Sequence, residues 1–126
     1  MADSGNPART YKTKWFSKAA RKALIPDAAL CVAIEQVRNG QADDLGAGVY
    51  KKRLDKNRYR ALILAKGGSF WFYEYLFAKR DRDNIADDEL DGFRKLADGY
   101  AGFSAEQLEQ LLRDKDLVEI CDDGQA

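Results

Sequence analysis

Three strand-like segments between residues 49 and 82 concentrate the lysine and arginine side chains of this chain. They read VYKKRL, RYRALI and FAKRDR. Side chains alternate between the faces of a strand, so Lys51 and Arg53 project to the same side. Neighbouring strands lie about 4.8 Å apart, and cations on adjacent strands can therefore converge on one ligand. Because such a cluster repels itself, the pattern indicates a surface that binds a polyanion.

The charge of the chain is divided unevenly along its length. The 126 residues include 21 Lys and Arg and 21 Asp and Glu, yet residues 1–82 hold 17 of these cations against 8 carboxylates. Residues 83–126 hold 4 cations against 13 carboxylates. This split predicts a basic working surface followed by an acidic C-terminal part. The alternative is that acidic helices only neutralise a basic sheet.

Histidine is absent from the chain, which narrows the possible chemistry. The absence excludes Ser-His and Cys-His triads and the usual zinc ligand, so acid–base chemistry falls to Lys, Arg, Tyr, Asp or Glu. Cys31 and Cys121 lie far apart and follow neither a disulfide nor a metal-binding pattern. A small buried thiol is expected at Cys31, and a reducing cytoplasm is the expected compartment.

One domain is predicted for this length. We expect residues 1–9 to form a flexible leader, residues 10–121 the domain, and residues 122–126 a flexible tail. Residues 103–121 are predicted to be a C-terminal extension of the domain. The start of the chain has no apolar signal-peptide core, and no apolar stretch is long enough to span a bilayer as a helix.

Hydrophobic periodicity predicts an α+β domain that begins with a strand and two helices. The strand is expected at residues 11–15, and a helix capped by Ser17 follows to Leu24. A second helix starts at Asp27 and stops at Gly40. Residues 41–48 are expected to form a loop.

A three-strand meander and one or two helices are predicted for the rest of the chain. The strands are residues 49–54, 58–65 and 70–78, and their short connections favour antiparallel hairpins. The last strand is apolar on both faces, so we expect it to be central, with one face on the helices and the other part of a cleft floor. Helices are expected from Asn84 or Asp87 to Gly102 and after Ser104, and residues 117–121 are a possible short strand.

The order of these elements, together with the three basic segments, resembles the RelE/ParE/HigB superfamily of type II toxins. The RelE-like, HigB-type branch with a C-terminal helical extension is the most similar, and the resemblance covers about residues 11–112. It implies a RelE-like fold and an endonuclease that cleaves mRNA on the ribosome. It also implies a cognate antitoxin, expected to be of the helix-turn-helix type, and neither a cofactor nor a metal.

The resemblance also implies particular site residues. Family members use two alternate basic positions on one strand, an arginine on the next, an arginine just after the last strand and a nearby tyrosine. The matching catalytic positions in this sequence are Lys51, Arg53, Arg60 and Arg80. The tyrosine position falls near Ala86, which can neither stack on a base nor transfer a proton. Tyr59, Tyr73 or Tyr75 are the conceivable replacements.

The chemistry of RNA cleavage agrees with these residue types. The 2′-hydroxyl of RNA can attack the adjacent phosphate, and guanidinium groups suit the phosphate oxygens. Lys51 is flanked by Lys52 and Arg53, so a lowered pKa is expected for its amine, which would let it act as a base or an acid. The remaining nearby cations are expected to bind the RNA backbone: Lys52, Lys56, Arg58, Lys79 and Arg82.

Simpler readings of the same residues remain open. The basic segment at residues 51–53 could be an edge strand protected by charge from aggregation, and Arg60 could pair with Glu74 or Asp55. A ParE-type toxin, which acts on gyrase, shares the predicted fold. A non-catalytic module that binds nucleic acid or protein is the third possibility.

Overall fold

A computed structural model describes residues 9–67, 69–82 and 84–121. The predicted tail, and the predicted leader apart from Arg9, lie outside the described residues. None of the described helices is both long and apolar enough to cross a membrane. The elements in chain order are β1 (Arg9–Thr13), α1 (Lys14–Lys22), α2 (Asp27–Arg38), β2 (Asp43–Gly46), β3 (Val49–Leu54), β4 (Tyr59–Lys66), β5 (Phe70–Ala78), α3 (Asp87–Ala101), α4 (Ala105–Arg113) and β6 (Leu117–Ile120).

The six strands form one open sheet in the order β2-β3-β4-β5-β1-β6. β1 runs parallel to β5, and the other neighbours are antiparallel. The meander, the helical hairpin and the C-terminal helices confirm the predicted α+β class. The possible strand near the C-terminus is real, because β6 pairs with β1 and forms the far edge of the sheet.

Helices cover both faces of the sheet. α1 and α2 pack on one face around residues such as Phe16, Leu30 and Tyr73. α3 and α4 pack on the other face, where the ring of Phe72 stacks on that of Tyr100 at 4.2 Å between centroids. β5 is therefore an interior strand, as predicted from its apolar faces. The prediction that its second face forms part of a cleft floor is wrong at Phe72, because α3 covers that face.

A β-bulge in β5 changes which residues share a face. Leu62 of β4 lies opposite Tyr75 and Ile63 lies opposite Tyr73, so Glu74 between them has no partner in the ladder. Such an extra residue interrupts the simple alternation of a strand. As a result Tyr73 and Leu76 belong to the same core, the one that includes α1 and α2.

Three local predictions were wrong. The strand expected at residues 11–15 is β1, which ends at Thr13, so Trp15 lies in α1. Thr13, not Ser17, caps α1, because its hydroxyl accepts the backbone N–H of Phe16 at 3.0 Å. The expected loop at residues 41–48 contains the edge strand β2, in which Asp43 lies opposite Lys51 of β3. Aspartates disfavour strands in general, but here the acidic edge strand lies beside a basic one.

The cysteines form a disulfide between α2 and the residue after β6, so the prediction of a buried free thiol at Cys31 was wrong. Cys31 and Cys121 lie 90 residues apart in sequence, and their Cα atoms are 5.4 Å apart. Pairing of β6 with the sheet brings the second cysteine to α2, and no local pattern announces that contact. A disulfide is typical of oxidising compartments, which argues against the reducing environment expected from the sequence.

Candidate functional site

Three of the four predicted catalytic residues lie on one face of the β3–β4 ribbon. Arg53 lies directly opposite Arg60, and Lys51 lies opposite Leu62, whose side chain is buried on the α3 side of the sheet. Directly opposed side chains have Cβ atoms about 5 Å apart, so the side chains of Arg53 and Arg60 leave the sheet next to each other. We call Lys51, Arg53 and Arg60 the cation face.

Arg60 is the most unusual member of the cation face. It is only 7% exposed, and its Nη1 donates to the backbone oxygens of Asn57 at 2.9 Å and Tyr59 at 3.3 Å. No carboxylate within the described ranges pairs with it. A buried cation without a counter-charge is unfavourable, so the site favours an anion from outside the chain.

The pairing that the simpler reading expected for Arg60 is absent. Glu74 accepts the hydroxyl proton of Tyr100 at 3.0 Å on the α3 side of the sheet. Asp55 instead pairs with Arg58 at 3.2 Å. Since both expected carboxylates are engaged elsewhere, Arg60 does not serve as half of an internal ion pair.

The two lysines of β3 have different surroundings. The Nζ of Lys51 lies 3.7 Å from a carboxylate oxygen of Asp43 and donates to the side chain of Asn84 at 3.3 Å. Lys52 projects to the opposite face and donates to the carbonyl of Gln41. Burial, and then the charge of Arg53, lower the pKa of Lys52. Lys52 itself is not a member of the cation face.

Arg80, the fourth predicted catalytic residue, follows β5 at the same end of the sheet. Tyr59 lies opposite Ala78, and the N–H of Lys79 donates to the carbonyl of Arg58 at 2.9 Å. The Arg80 side chain is 86% exposed, and Asp81 is 4.0 Å away. Arg80 lies at the mouth of a cleft on the α1 side of the hairpin, so the structure does not gather all four residues on one face.

That cleft, which we call the hairpin cleft, has a volume of about 810 Å³. Three of the predicted RNA-binding residues line it beside Arg80, namely Lys56, Arg58 and Lys79. Its wall includes the β3–β4 turn, where residues 55–57 all adopt left-handed backbone conformations with φ between 53° and 73°. Successive non-glycine residues in this region are strained, and such strain concentrates at functional sites.

Arg82, another predicted RNA-binding residue, is engaged within the protein. Its guanidinium makes two hydrogen bonds to the carboxylate of Glu89 in α3 and donates to the carbonyl of Asn84 at 3.0 Å. The hydrogen bond from Arg82 lowers the pKa of Glu89. This clamp ties the segment after β5 to the start of α3, a role that the sequence did not reveal.

Besides lysine, tyrosine is the residue type that the sequence offered for proton transfer near the cation face. Ala86, the predicted counterpart of the tyrosine in the resemblance, directly precedes α3. Tyr73 cannot replace it, because it is fully buried and donates to the carbonyl of Leu30 at 2.6 Å. Tyr59 and Tyr75 are partly exposed. In the parts of the chain that are described, no group of three or more His, Cys, Asp or Glu residues is placed to hold a metal ion.

Comparison with known proteins gives one family. The family model described as the RelE toxin of the RelE / RelB toxin-antitoxin system matches residues 8–120. Neither the search of curated proteins nor the search of solved structures finds a significant match. The family match runs from β1 to β6 and includes the cation face, the hairpin cleft and the C-terminal helices. This chain therefore belongs to the RelE toxin family of toxin–antitoxin systems.

Proposed function

We propose that this toxin is an endoribonuclease that cleaves mRNA on translating ribosomes. The observation that carries the proposal is Arg60, a nearly buried guanidinium that lies opposite Arg53 and has no carboxylate partner in the described chain. A phosphate diester supplies the missing negative charge. Two adjacent guanidinium groups also match the oxygens of a phosphate better than those of a lone carboxylate.

The proposed reaction needs only the substrate's own nucleophile. The 2′-oxygen attacks the neighbouring phosphorus, the bond from phosphorus to the 5′-oxygen breaks, and the products end in a 2′,3′-cyclic phosphate and a 5′-hydroxyl. One proton leaves the 2′-hydroxyl and one reaches the departing 5′-oxygen. The protein must therefore align the backbone and stabilise the additional negative charge of the transition state.

Each member of the site has a distinct proposed role. Arg60 and Arg53 bind the non-bridging oxygens, with Arg60 held in place by its two backbone acceptors. Arg80, exposed at the end of β5, closes on the phosphate from the other side. Lys51 assists proton transfer from a position fixed by Asp43 and Asn84.

The same proposal defines the partners. The substrate is mRNA in the ribosome, which places the active toxin in the cytoplasm, and no cofactor is required. A cognate antitoxin, proposed to carry a helix-turn-helix DNA-binding part, holds the toxin inactive. In a reducing cytoplasm the Cys31–Cys121 bond would be open, so the proposal requires that the reduced toxin still cleaves RNA.

Two observations favour the alternative of a ParE-type gyrase toxin. Ala86 stands where an RNA-cleaving relative has its tyrosine, and Arg82 is occupied by Glu89. A toxin that acts through protein contacts needs neither the tyrosine nor a free arginine there. The cation face outweighs these observations, because two adjacent guanidinium groups suit the oxygens of a phosphate.

Cell-free translation separates the two functions. Wild-type toxin is added to a translating extract, and cleavage of a defined message is mapped by primer extension. Arg60→Lys keeps the charge but loses the two-pronged fork, and we expect a loss of about 100- to 1,000-fold in cleavage rate. Arg38→Lys is the matched control, because Arg38 lies on α2 in an exposed pair with Glu35.

Two results would contradict the proposal. One is an Arg60→Lys protein that cleaves the message at the wild-type rate. The other is a folded wild-type protein that leaves translated mRNA intact but inhibits DNA supercoiling by gyrase, which would assign the ParE-type function.

A further inference from the structure

An exposed aromatic ring ends a stack of three rings beside the end of β5. Trp15 of α1 is 52% exposed and stacks on Tyr75 at 5.1 Å between ring centroids. Tyr75 in turn contacts Phe93 of α3 at 5.5 Å. Trp71, by contrast, is only 7% exposed. Indole is among the most strongly stacking side chains, so its open surface is available to another flat ring.

The surroundings of Trp15 are strongly cationic. α1 carries four exposed cations and no carboxylate: Lys14, Lys18, Arg21 and Lys22. A groove of about 520 Å³ runs from Trp15 past Lys22 to Arg80, and Asp81 is the one carboxylate among its described lining residues. Cations beside an exposed aromatic ring suit a nucleotide, whose base can stack on the ring while its phosphate meets the positive charge.

This groove continues into the hairpin cleft. Tyr59, Ala78 and Arg80 line both. The combined surface, which we call the α1 track, therefore leads from Trp15 to Lys56 and Lys79 on the α1 side of the sheet. The groove is also lined by Tyr75 and Phe77, which pack on the same side of the sheet as the cation face, so the track adjoins the proposed cleavage site and shares Arg80 with it.

We propose that the α1 track binds a single strand of RNA, with one base stacked on Trp15 and the backbone on Arg80, Lys79 and Lys56. An aromatic platform followed by a cationic groove is how proteins hold unpaired nucleic acid without reading its sequence. The choice of RNA over DNA rests on the proposed function. The site extends the toxin's contact with RNA from Arg80, at the proposed place of cleavage, to Trp15.

The test measures binding without ribosomes and without cleavage. The probe is a short single-stranded RNA with 2′-O-methyl groups, which cannot attack the phosphate. Stacking on Trp15 is expected to quench tryptophan fluorescence, whereas the duplex and an otherwise identical strand with abasic positions should quench much less. Trp15→Phe should remove most of the quenching, because the remaining indole of Trp71 is buried.

Affinity gives the second readout. Base–aromatic stacking corresponds to about a 5- to 100-fold rise in Kd for Trp15→Ala, with a smaller rise for Trp15→Phe. Val32→Ala, at an exposed apolar residue of α2, is the matched control and should leave Kd unchanged. Lys56→Gln should reduce the slope of log affinity against log salt by about 1, whereas Lys95→Gln on α3 should not. A thermal melt of each variant shows whether it is folded.

The outcomes separate this inference from the proposed function. The inference would be overturned if folded Trp15→Phe and Trp15→Ala bound the probe as tightly as wild type. Equal quenching by abasic and intact strands would also overturn it. Loss of antitoxin binding in these variants with RNA binding unchanged would also overturn it. Wild-type toxin that binds the probe through Trp15 but does not cleave translated mRNA would defeat the proposed function alone.

Discussion

The β1–β6 edge and the Arg53–Arg60 pair of the β3–β4 ribbon differ in how their charges are balanced, although Lys51 on the same ribbon lies near Asp43. At the β1–β6 edge the cations have carboxylate partners: Arg9 pairs with Glu119, and Lys12 pairs with Asp27, each at 2.7 Å. On the β3–β4 ribbon Arg53 and Arg60 face each other with no carboxylate within the described parts of the chain. Paired charges serve the fold, whereas unpaired like charges reduce its stability and therefore point to a ligand.

The Cys31–Cys121 disulfide lies at the β1–β6 edge, where the cations have carboxylate partners. The disulfide joins α2 to the end of β6, and the sheet order places three strands between β6 and β3. If one edge maintains the fold and the other binds RNA, the two properties should be separable by mutation. The following predictions test that separation.

The largest effect on stability is expected from opening the disulfide. Replacing both Cys31 and Cys121 by Ser removes the cross-link between two residues that are 90 positions apart, and so increases the conformational freedom of the unfolded chain. The chain-entropy model gives a loss of about 4–5 kcal/mol in the free energy of unfolding for a loop of this length. Urea denaturation of oxidised wild type and the double variant measures the difference.

The activity of the same double variant tests the comparison. We expect mRNA cleavage at the wild-type rate at a temperature where the variant remains folded, because the cation face lies at the other end of the sheet. Wild type treated with dithiothreitol is the matched control. Lost cleavage in a folded, reduced protein would mean that the edges are coupled.

A smaller effect of opposite sign is expected at the unpaired end. Arg60→Met keeps the length of the side chain and removes a nearly buried charge without a carboxylate, so we expect a gain of about 1 kcal/mol in unfolding free energy together with loss of cleavage. Urea denaturation and the translation assay measure the two. Arg82→Met is the contrasting variant and should destabilise, because Arg82 has Glu89 as its partner. Destabilisation by Arg60→Met would mean that Arg60 is structural.

Regular elements were predictable because their signals are local. The strand at residues 70–78 and the capping box at Ser104 were found where the periodicity and the capping pattern placed them. β2 was missed because Asp43 and Asp44 disfavour strands, and only the basic neighbouring strand makes their pairing favourable. The helix cap was misplaced because threonine and serine both suit a helix start within a few residues.

The site was predictable as a set of charges but not as a geometry. Alternation correctly placed Lys51 and Arg53 on one face, and strand pairing brought Arg60 beside them. The remaining geometry depends on contacts between residues that are separated in sequence. Arg82 donates hydrogen bonds to Glu89, Tyr100 donates one to Glu74, and the disulfide joins residues 90 positions apart. Sequence periodicity carries no information on such contacts. The bulge at Glu74 also breaks the alternation on which any prediction of faces in β5 depends.

Glu74 gives an intermediate case, a partly buried carboxyl group with a neutral hydrogen-bond partner. Burial raises its pKa above the ordinary 4.5, and the hydrogen bond from Tyr100 offsets only part of this. A raised carboxyl pKa contributes stability that is present below about pH 4.5 and is lost as pH rises through the folded value. Glu74→Gln should therefore melt at a higher temperature than wild type at pH 7 and gain nothing below pH 4.5. Thermal melts of wild type and Glu74→Gln between pH 7 and values below pH 4.5 test this prediction. A higher melting temperature of Glu74→Gln that persists below pH 4.5 would contradict the raised pKa of Glu74.

The smallest effects compare one exposed charge from each edge. Glu119→Gln breaks the exposed pair with Arg9 and should cost about 0.2–1 kcal/mol in unfolding free energy at low salt. Arg53→Gln removes a repulsion from Arg60 and should gain a similar small amount. Salt screens both interactions. The loss of stability in Glu119→Gln and the gain in Arg53→Gln should therefore both become smaller as the ionic strength is raised. Urea denaturation at two salt concentrations is the measurement. A loss of stability in Arg53→Gln at low salt would show that the charge on β3 has a partner in the fold, and the contrast between the two edges would then no longer hold.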